Sequence, residues 1–439
     1  MKNTPINYEI VTKKIEESRL EHLSTASIRE IKRLIDSIES TTGERFVRME
    51  MGIPGLPAAE IGVEAEIAAL RKGVASIYPD IQGIPMLKEE ISRFVKSYVD
   101  IKVDPQGCIP TVGSMQGSFA AFMTMSKMYR GKDTMLFIDP GFPVHKQQIR
   151  ILGQKLETFD VYNYRGEKLY AKLESFLIKG NICGILYSNP NNPSWICFTE
   201  RELEIIGEVA EKYNVVVLED LAYIAMDFRK DMSKPGKAPF QATVAKYTDN
   251  YILLISSSKA FSYAGQRIGM MVISDALFDR QYSDLKRVYT SDRFGYAMIF
   301  GTVYALSAGI THSAQYALTA ILKAVNDGKY DFVSVVKEYG EKARIMKRIF
   351  TDNGFRIVYD KDDNEPIADG FYFTVAYPGL DGDSLLRELL YYGVSAISLD
   401  ITGSERHEGI RACVSLVERS QFPDLEYRLK KFHEDHGVN

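Results

Sequence analysis

Cysteine is scarce in this 439-residue chain: four are present, Cys108, Cys183, Cys197 and Cys413, and none stands in C-x-x-C spacing. That excludes a zinc ribbon or a disulfide framework, and it makes reduced thiols in a cytoplasmic protein the expectation. Long apolar runs are lacking too. No stretch is long enough to span a bilayer, and the opening residues MKNTPINYEIVTKK have no apolar centre of the kind an export signal needs. Neither sign of charge dominates. Lys and Arg number 54 against 58 Asp and Glu, a net charge of −4, which gives no basis for nucleic acid or an anionic membrane as partner. There is no GxxxxGK or GxGxxG segment, no internal repeat and no low-complexity tract. What remains is an ordinary globular composition, 45% hydrophobic and 26% charged, in a chain long enough for one large domain and a smaller companion.

The hydrophobic pattern divides that length. Up to about Glu50 the chain is polar and helical, with a capping box at Ser27-Ile28-Arg29-Glu30 followed by Ile31, Leu34, Ile35 and Ile38 on one face. A turn-rich segment, Met49–Gly55, ends it. From Ser76 the pattern alternates: a helix bearing Leu87, Ile91, Phe94, Val95 and Tyr98, then strands at Cys108–Val112, Thr134–Ile138, Ile182–Tyr187 and Val215–Leu218 with helical segments between them. Such alternation predicts an α/β domain, a mostly parallel sheet covered by helices on both faces, with ligands at the carboxyl ends of its strands. Helices over Asp275–Tyr289 and Tyr296–Asp352, then short strands at Phe355–Val358, Gly370–Val375 and Val394–Ile397, predict a smaller α+β domain. The expected divisions are residues 1–60 packing with that small domain, 61–300 as the large domain, and 301–439 as the small one.

Several strand ends carry residues able to do chemistry. The strand Tyr251–Ile255 breaks into Ser256-Ser257-Ser258-Lys259, with Arg267 beyond a short glycine-containing loop. A lysine at a buried strand end needs a task or a partner, and hydroxyls with a guanidinium close by suit a phosphorylated ligand. A lone S-K pair is more commonly a surface lysine at a turn. Gly113-Ser114-Met115-Gln116-Gly117 opens a helix and offers free N–H groups to a phosphate, or is a plain strand-to-helix turn. Asn192, Asp220 and Tyr223 also stand at predicted strand ends. Arg411, within the apolar run GIRACV, is either ion-paired within the fold or holds a ligand carboxylate.

Taken together these stretches resemble the class I/II aminotransferases, pyridoxal-phosphate enzymes of the aspartate aminotransferase fold, fold type I. The resemblance runs through nearly the whole chain from Met49 and keeps the family's order: YPDIQGIPMLKEEI, GSMQGS, DPGF, SNPNNPSW, EDLAY, SSSKAFSYAGQRIG and GIRACV. It implies pyridoxal 5'-phosphate as cofactor and an amino group moved between an L-amino acid and a 2-oxo acid through a Schiff base at Lys259. It implies Asp220 against the pyridine nitrogen, Tyr223 and Asn192 on the ring hydroxyl, and Phe142 stacked on the ring. Ser114, Met115, Ser256, Ser258 and Arg267 would hold the phosphate, and Tyr78 would reach the phosphate of a second subunit in a homodimer. Arg411, helped by the Gly52 backbone and by Asn192, would grip the substrate α-carboxylate. A carboxylate beside the ring nitrogen keeps the ring cationic and electron-accepting, and a fixed α-carboxylate orients the bond that breaks.

Departures from the family pattern are Trp195, where the asparagine-proline motif ends in glycine, Leu221, where an acid is common, and the 395–410 segment, which lacks the usual proline-glycine turn. Two rival activities share the motif set. A β-eliminating lyase or a decarboxylase would use the same lysine, aspartate and arginine. A DNA-binding regulator built on this fold would need a helix-turn-helix, and the residues before Met49 show none and are not strongly basic.

Overall fold

The computed structural model describes residues 4–437. By its contacts the chain forms two units. The larger comprises Leu56–Asn191 and Cys197–Val336; the smaller comprises the chain up to Gly55, Asn192–Ile196, and the chain from Lys337 onward. The larger unit runs past residue 300 because the amphipathic helix His312–Asn326 packs on Glu60–Arg71 and on Pro85–Tyr98.

Its centre is a seven-stranded sheet: β1 (Cys108–Thr111), β2 (Thr134–Asp139), β3 (Lys155–Asp160), β4 (Ile182–Ser188), β5 (Val216–Asp220), β6 (Tyr251–Ser256) and β7 (Gly269–Ile273). The spatial order is β1-β7-β6-β5-β4-β2-β3. All strands are parallel except β7, which pairs antiparallel with both β1 and β6. The reversal goes with a short connection. The connection from β6 to β7, residues 257–268, holds a single helical turn, Ser257–Ala260, and no crossover helix of the kind that joins parallel neighbours. Six strands, β1, β2, β4, β5, β6 and β7, are buried at every position and owe this to runs such as ICGILYS and GMMVI. The edge strand β3, KLETFD, has no counterpart in the sequence pattern, because its exposed Lys155 and Thr158 break the apolar run. Two helices matter for the site: α1 (Gly113–Met125) and α2 (Pro143–Ile151).

The helical stretch foreseen over Asp275–Tyr289 is a short α-helix, Asp275–Asp279, and a separate turn at Ser283–Arg287. Tyr296–Asp352 is likewise broken, at Ala308, which takes a left-handed conformation, and again between Asn326 and Phe332. Lys286 and Arg287 are ion-paired with Asp292 and Asp284 on the surface. All four cysteines are buried thiols, and no helix among the described residues is long and apolar enough to cross a membrane.

In the smaller unit a four-stranded antiparallel sheet runs Ile397–Ser398, Ile410–Cys413, Tyr372–Ala376, Arg356–Ile357. The strand expected over Val394–Ile397 is divided: Val394–Ser395 leaves that sheet to pair with Val47–Arg48. Phe350, Phe355, Phe373, Tyr377 and Phe432 pack ring to ring behind it.

In the larger unit Thr199 and Glu202 form a capping box at the start of Glu200–Tyr213, and the fully buried Glu202 also receives the Arg165 guanidinium at 2.6 and 2.7 Å. Arg165→Met leaves that carboxylate without its charge partner. It is expected to lower unfolding stability by about 3–5 kcal/mol, measured by urea denaturation.

Candidate active site

Strand register gathers the candidate residues on one edge of the large sheet. Ser188 lies opposite Asp220, Asp220 opposite Leu254, Ser256 opposite Gly269, and Gly269 opposite Thr111. The carboxyl ends of β4, β5, β6 and β1 and the start of β7 are therefore neighbours. At this edge hang Asp220, the Gly113 turn, the serine–lysine segment and Arg267.

Asp220 ends β5 and is 5% exposed. Its carboxylate accepts from the Ala222 N–H at 3.0 Å. Burial pushes its pKa up to about 7. His145, on α2, brings Nε2 to 3.9 Å from Asp220 Oδ2. Burial lowers that imidazole to about 4, so it is neutral at pH 7 and does not balance the carboxylate. The ring of Phe142, just before α2, meets His145 edge-on at 5.5 Å. Asp139, at the end of β2, is bound by the Lys146 ammonium, which fastens the Phe142 turn to the sheet.

The N-terminus of α1 has no side-chain cap, so its first N–H groups, Ser114 and Met115 among them, face the strand edge. Gly113 has φ +63, and a Cβ there would lie 2.6 Å from Arg267 Nη2. A guanidinium thus stands against the positive end of a helix, an arrangement that suits an anion. Ser256 Oγ accepts from Ser258 N at 3.1 Å on the adjoining turn.

Lys259 is half-buried on the single helical turn Ser257–Ala260. Its loop is tied at both ends, by Ser257 Oγ donating to the Ile268 carbonyl and by the Tyr263 N–H donating to the Ser257 carbonyl. It is also anchored from the side. Tyr263 Oη donates to Glu66 Oε2 at 2.7 Å, and Ser313 Oγ donates to Glu66 Oε1 at 3.0 Å. Tyr78 is 90% exposed; the neighbouring Ile77 carbonyl lies 3.1 Å from His312 Nδ1.

The smaller unit holds the remaining candidates. Arg411 is 1% exposed and donates to Asn192 Oδ1 at 3.2 Å and to the Glu50 carbonyl at 2.7 Å. The Glu50 side chain is engaged elsewhere, by Arg48 and Ser395. Among the described residues no carboxylate pairs with Arg411, and its Nε–H has no acceptor. Of the two readings open from sequence, the internal ion pair has no acid to make it. Tyr372 lays its ring over the guanidinium at 4.4 Å, and its hydroxyl sits where a Cβ on Gly52 would be.

A family profile described as aminotransferase class I and II matches residues 54–361. The chain belongs to the class I and II aminotransferases. Among curated relatives, the probable aspartate aminotransferase of Methanocaldococcus jannaschii is 24% identical over 373 residues, 85% of this chain and 88% of that one. The glutamate-pyruvate aminotransferase AlaC of Escherichia coli is 28% identical over 234 residues, 52% of this chain and 54% of its own. Among solved structures, the aspartate aminotransferase of Thermotoga maritima superposes with TM-score 0.74 at 19% identity, covering 96% of this chain and 99% of that one. The alanine aminotransferase of Pyrococcus furiosus gives TM-score 0.74 at 17% identity, with 96% and 99% covered. The fold is that of aspartate aminotransferase.

Class I and II aminotransferases work with pyridoxal phosphate, and the residues present fit that group. Asp220 is a buried carboxylate in need of a cation, which a protonated pyridine supplies. The α1 terminus with Arg267 suits a phosphate, and Lys259 offers an amine on the same edge. Asn192, expected to serve both the cofactor ring and the substrate, accepts from the Arg411 guanidinium through its amide oxygen. His145, Tyr372 and Glu66 escaped the sequence reading. His145 had a usable signal, as one of six histidines standing three residues after the predicted stacking Phe142.

The raised pKa of Asp220 has a direct consequence. The folded protein holds the Asp220 proton more tightly than the unfolded chain, whose carboxyls titrate at about 3.9. The cofactor-free protein therefore keeps this contribution below about pH 4 and loses it as pH rises through about 7. Asp220→Asn is expected to stabilise cofactor-free protein at pH 8, with the gain vanishing near pH 4, as followed by thermal melts across that range.

Proposed function

We propose that this aminotransferase moves an amino group between an L-amino acid and a 2-oxo acid, with pyridoxal 5'-phosphate held at the strand edge that bears Lys259. The observation that carries the reading is Asp220: a fully desolvated carboxyl on the same edge as a half-buried lysine and an arginine-backed helix terminus. The cofactor supplies an aldehyde carbon and an electron-accepting ring. In this reading Asp220 holds the proton on the ring nitrogen, while neutral His145 keeps the carboxylate in place. Tyr223 and Asn192 bond the ring hydroxyl, and Phe142 covers one ring face. The Ser114 and Met115 N–H groups, the Ser256 and Ser258 hydroxyls and Arg267 take the phosphate. The Lys259 amine would be the group that binds the aldehyde carbon and, once released, would take the proton from the substrate Cα and deliver it to that carbon. Arg411, with the Gly52 backbone, takes the α-carboxylate, which fixes which Cα bond lies ready to break. Relatives named for aspartate and for the glutamate–pyruvate pair support an amino acid and a 2-oxo acid as the substrates.

The reading extends to a homodimer. Tyr78 and Ile77 are exposed, as are Tyr296, Phe300 and Tyr304, spaced four residues apart along a helical segment. Aromatic side chains aligned on one face suit burial against a second copy, with Tyr78 reaching the partner's phosphate.

Lys259→Ala is expected to abolish turnover and the yellow colour of the holoenzyme while leaving the circular dichroism spectrum unchanged; retained turnover overturns the assignment. Offered a panel of amino acids, the wild type should convert bound cofactor to its amine form without releasing pyruvate and ammonia. Arg267→Met removes a charge-assisted phosphate contact of about 1.5–3 kcal/mol and should weaken cofactor binding about tenfold or more, read by titrating apoprotein with pyridoxal 5'-phosphate.

A further inference from the structure

Trp195 stands where the family's asparagine-proline motif has glycine, and its backbone explains why glycine is the usual choice. Its φ is +66, in the left-handed region where a bulky side chain is strained. Strain of this kind persists only where the surroundings enforce it. Here they do. The indole is fully buried, and Gly370 lies so close that a Cβ on it would stand 1.8 Å from Trp195 Cε2. Its ring meets Tyr372 edge-on at 6.2 Å and 64°. The Arg411 guanidinium lies in turn over the Tyr372 ring, 4.4 Å from its centroid, and the Tyr372 hydroxyl is seated on Gly52. Two glycines thus serve as sockets for two aromatic rings, and the stack ends on Arg411, which has no acidic partner among the described residues.

We infer that Trp195 and Tyr372 are positioning residues of the α-carboxylate pocket: the indole wedges the phenol ring against Arg411 and fixes the plane of its guanidinium. The inference rests on the proposed role of Arg411 and deepens it. One side of the guanidinium is closed by the Tyr372 face, and two in-plane donors are spent on Asn192 and the Glu50 carbonyl. The donors that remain, Nε–H among them, are thereby held in a fixed plane for a bidentate carboxylate. A cation over a ring face gains most when desolvated, and this one is buried. The amino donor and the oxo acid both present an α-carboxylate to Arg411. Loosening the wedge must therefore weaken both alike, in binding more than in the chemical step.

The test uses holoenzyme variants Trp195→Gly, Tyr372→Leu, Tyr372→Phe and Arg411→Lys, assayed with the best amino acid from the panel and its oxo-acid acceptor. Propionate serves as a carboxylate inhibitor without an amino group. Trp195→Gly and Tyr372→Leu are expected to raise both KM values and the propionate inhibition constant about tenfold, with kcat within threefold of wild type. Tyr372→Phe, which keeps the ring face, is expected to recover most of what Tyr372→Leu loses. Should Trp195→Gly not fold, Tyr372→Leu against Tyr372→Phe still decides. If Arg411→Lys weakens both carboxylates while Trp195→Gly and Tyr372→Leu do not, the wedge is refuted and the role of Arg411 stands. If Arg411→Lys also changes nothing, the assignment of Arg411 falls. A change confined to one substrate refutes the wedge in favour of side-chain recognition.

Discussion

A carboxyl group removed from water and given no cation governs the larger unit. Asp220 accepts one backbone N–H, faces an imidazole that burial keeps neutral, and carries a pKa pushed up to about 7. A fold built for stability alone would not retain it, because desolvating a charge costs more than one hydrogen bond returns. The elements around it serve to keep it there. β5 is buried along its length, α2 brings His145 to its side, and Lys146 on Asp139 pins the turn between them. Glu219, one residue earlier, is also fully buried and also pushed up to about 7; Thr243 and the Val244 N–H bond its Oε2, and its Oε1 has no hydrogen-bond partner among the described residues. Two adjacent acids on one strand point to opposite faces; of the two, Asp220 stands at the strand end, beside the serine–lysine segment.

The single reversed strand does comparable service for the lysine. β6 and β7 are direct neighbours, so the segment bearing Lys259 is a short connection whose two ends are fixed by hydrogen-bonded strands. The Tyr263–Glu66–Ser313 chain clamps its middle to two helices. In the role proposed for Lys259, an amine that releases its partner and finds it again gains from a short, anchored tether, since little conformational entropy is lost on each return.

Much of this was legible because it depends on short-range pattern. Fully apolar runs ending in polar residues marked β1, β2, β4, β5 and β6, and the motif residues at their ends were found on that basis. What escaped depends on tertiary placement. β3 is an edge strand whose exposed positions erase the apolar signal. The His312–Asn326 helix is amphipathic like any other, and only its packing assigns it to the larger unit. Tyr372 lies in an apolar strand, and nothing in YFTVA says that one ring covers a guanidinium from a neighbouring strand. The bond from Arg411 to the Asn192 amide oxygen joins residues far apart in the chain, and no local pattern announces it.

Because Trp195 is the only tryptophan in the chain, the protein carries a built-in fluorophore at one defined place. Its ultraviolet emission arises beside the Tyr372 ring that covers Arg411 and nowhere else, with no background from other indoles. A carboxylate bound in the proposed Arg411 pocket can therefore be followed optically in the unlabelled, unmodified protein, independently of any visible absorption by a cofactor.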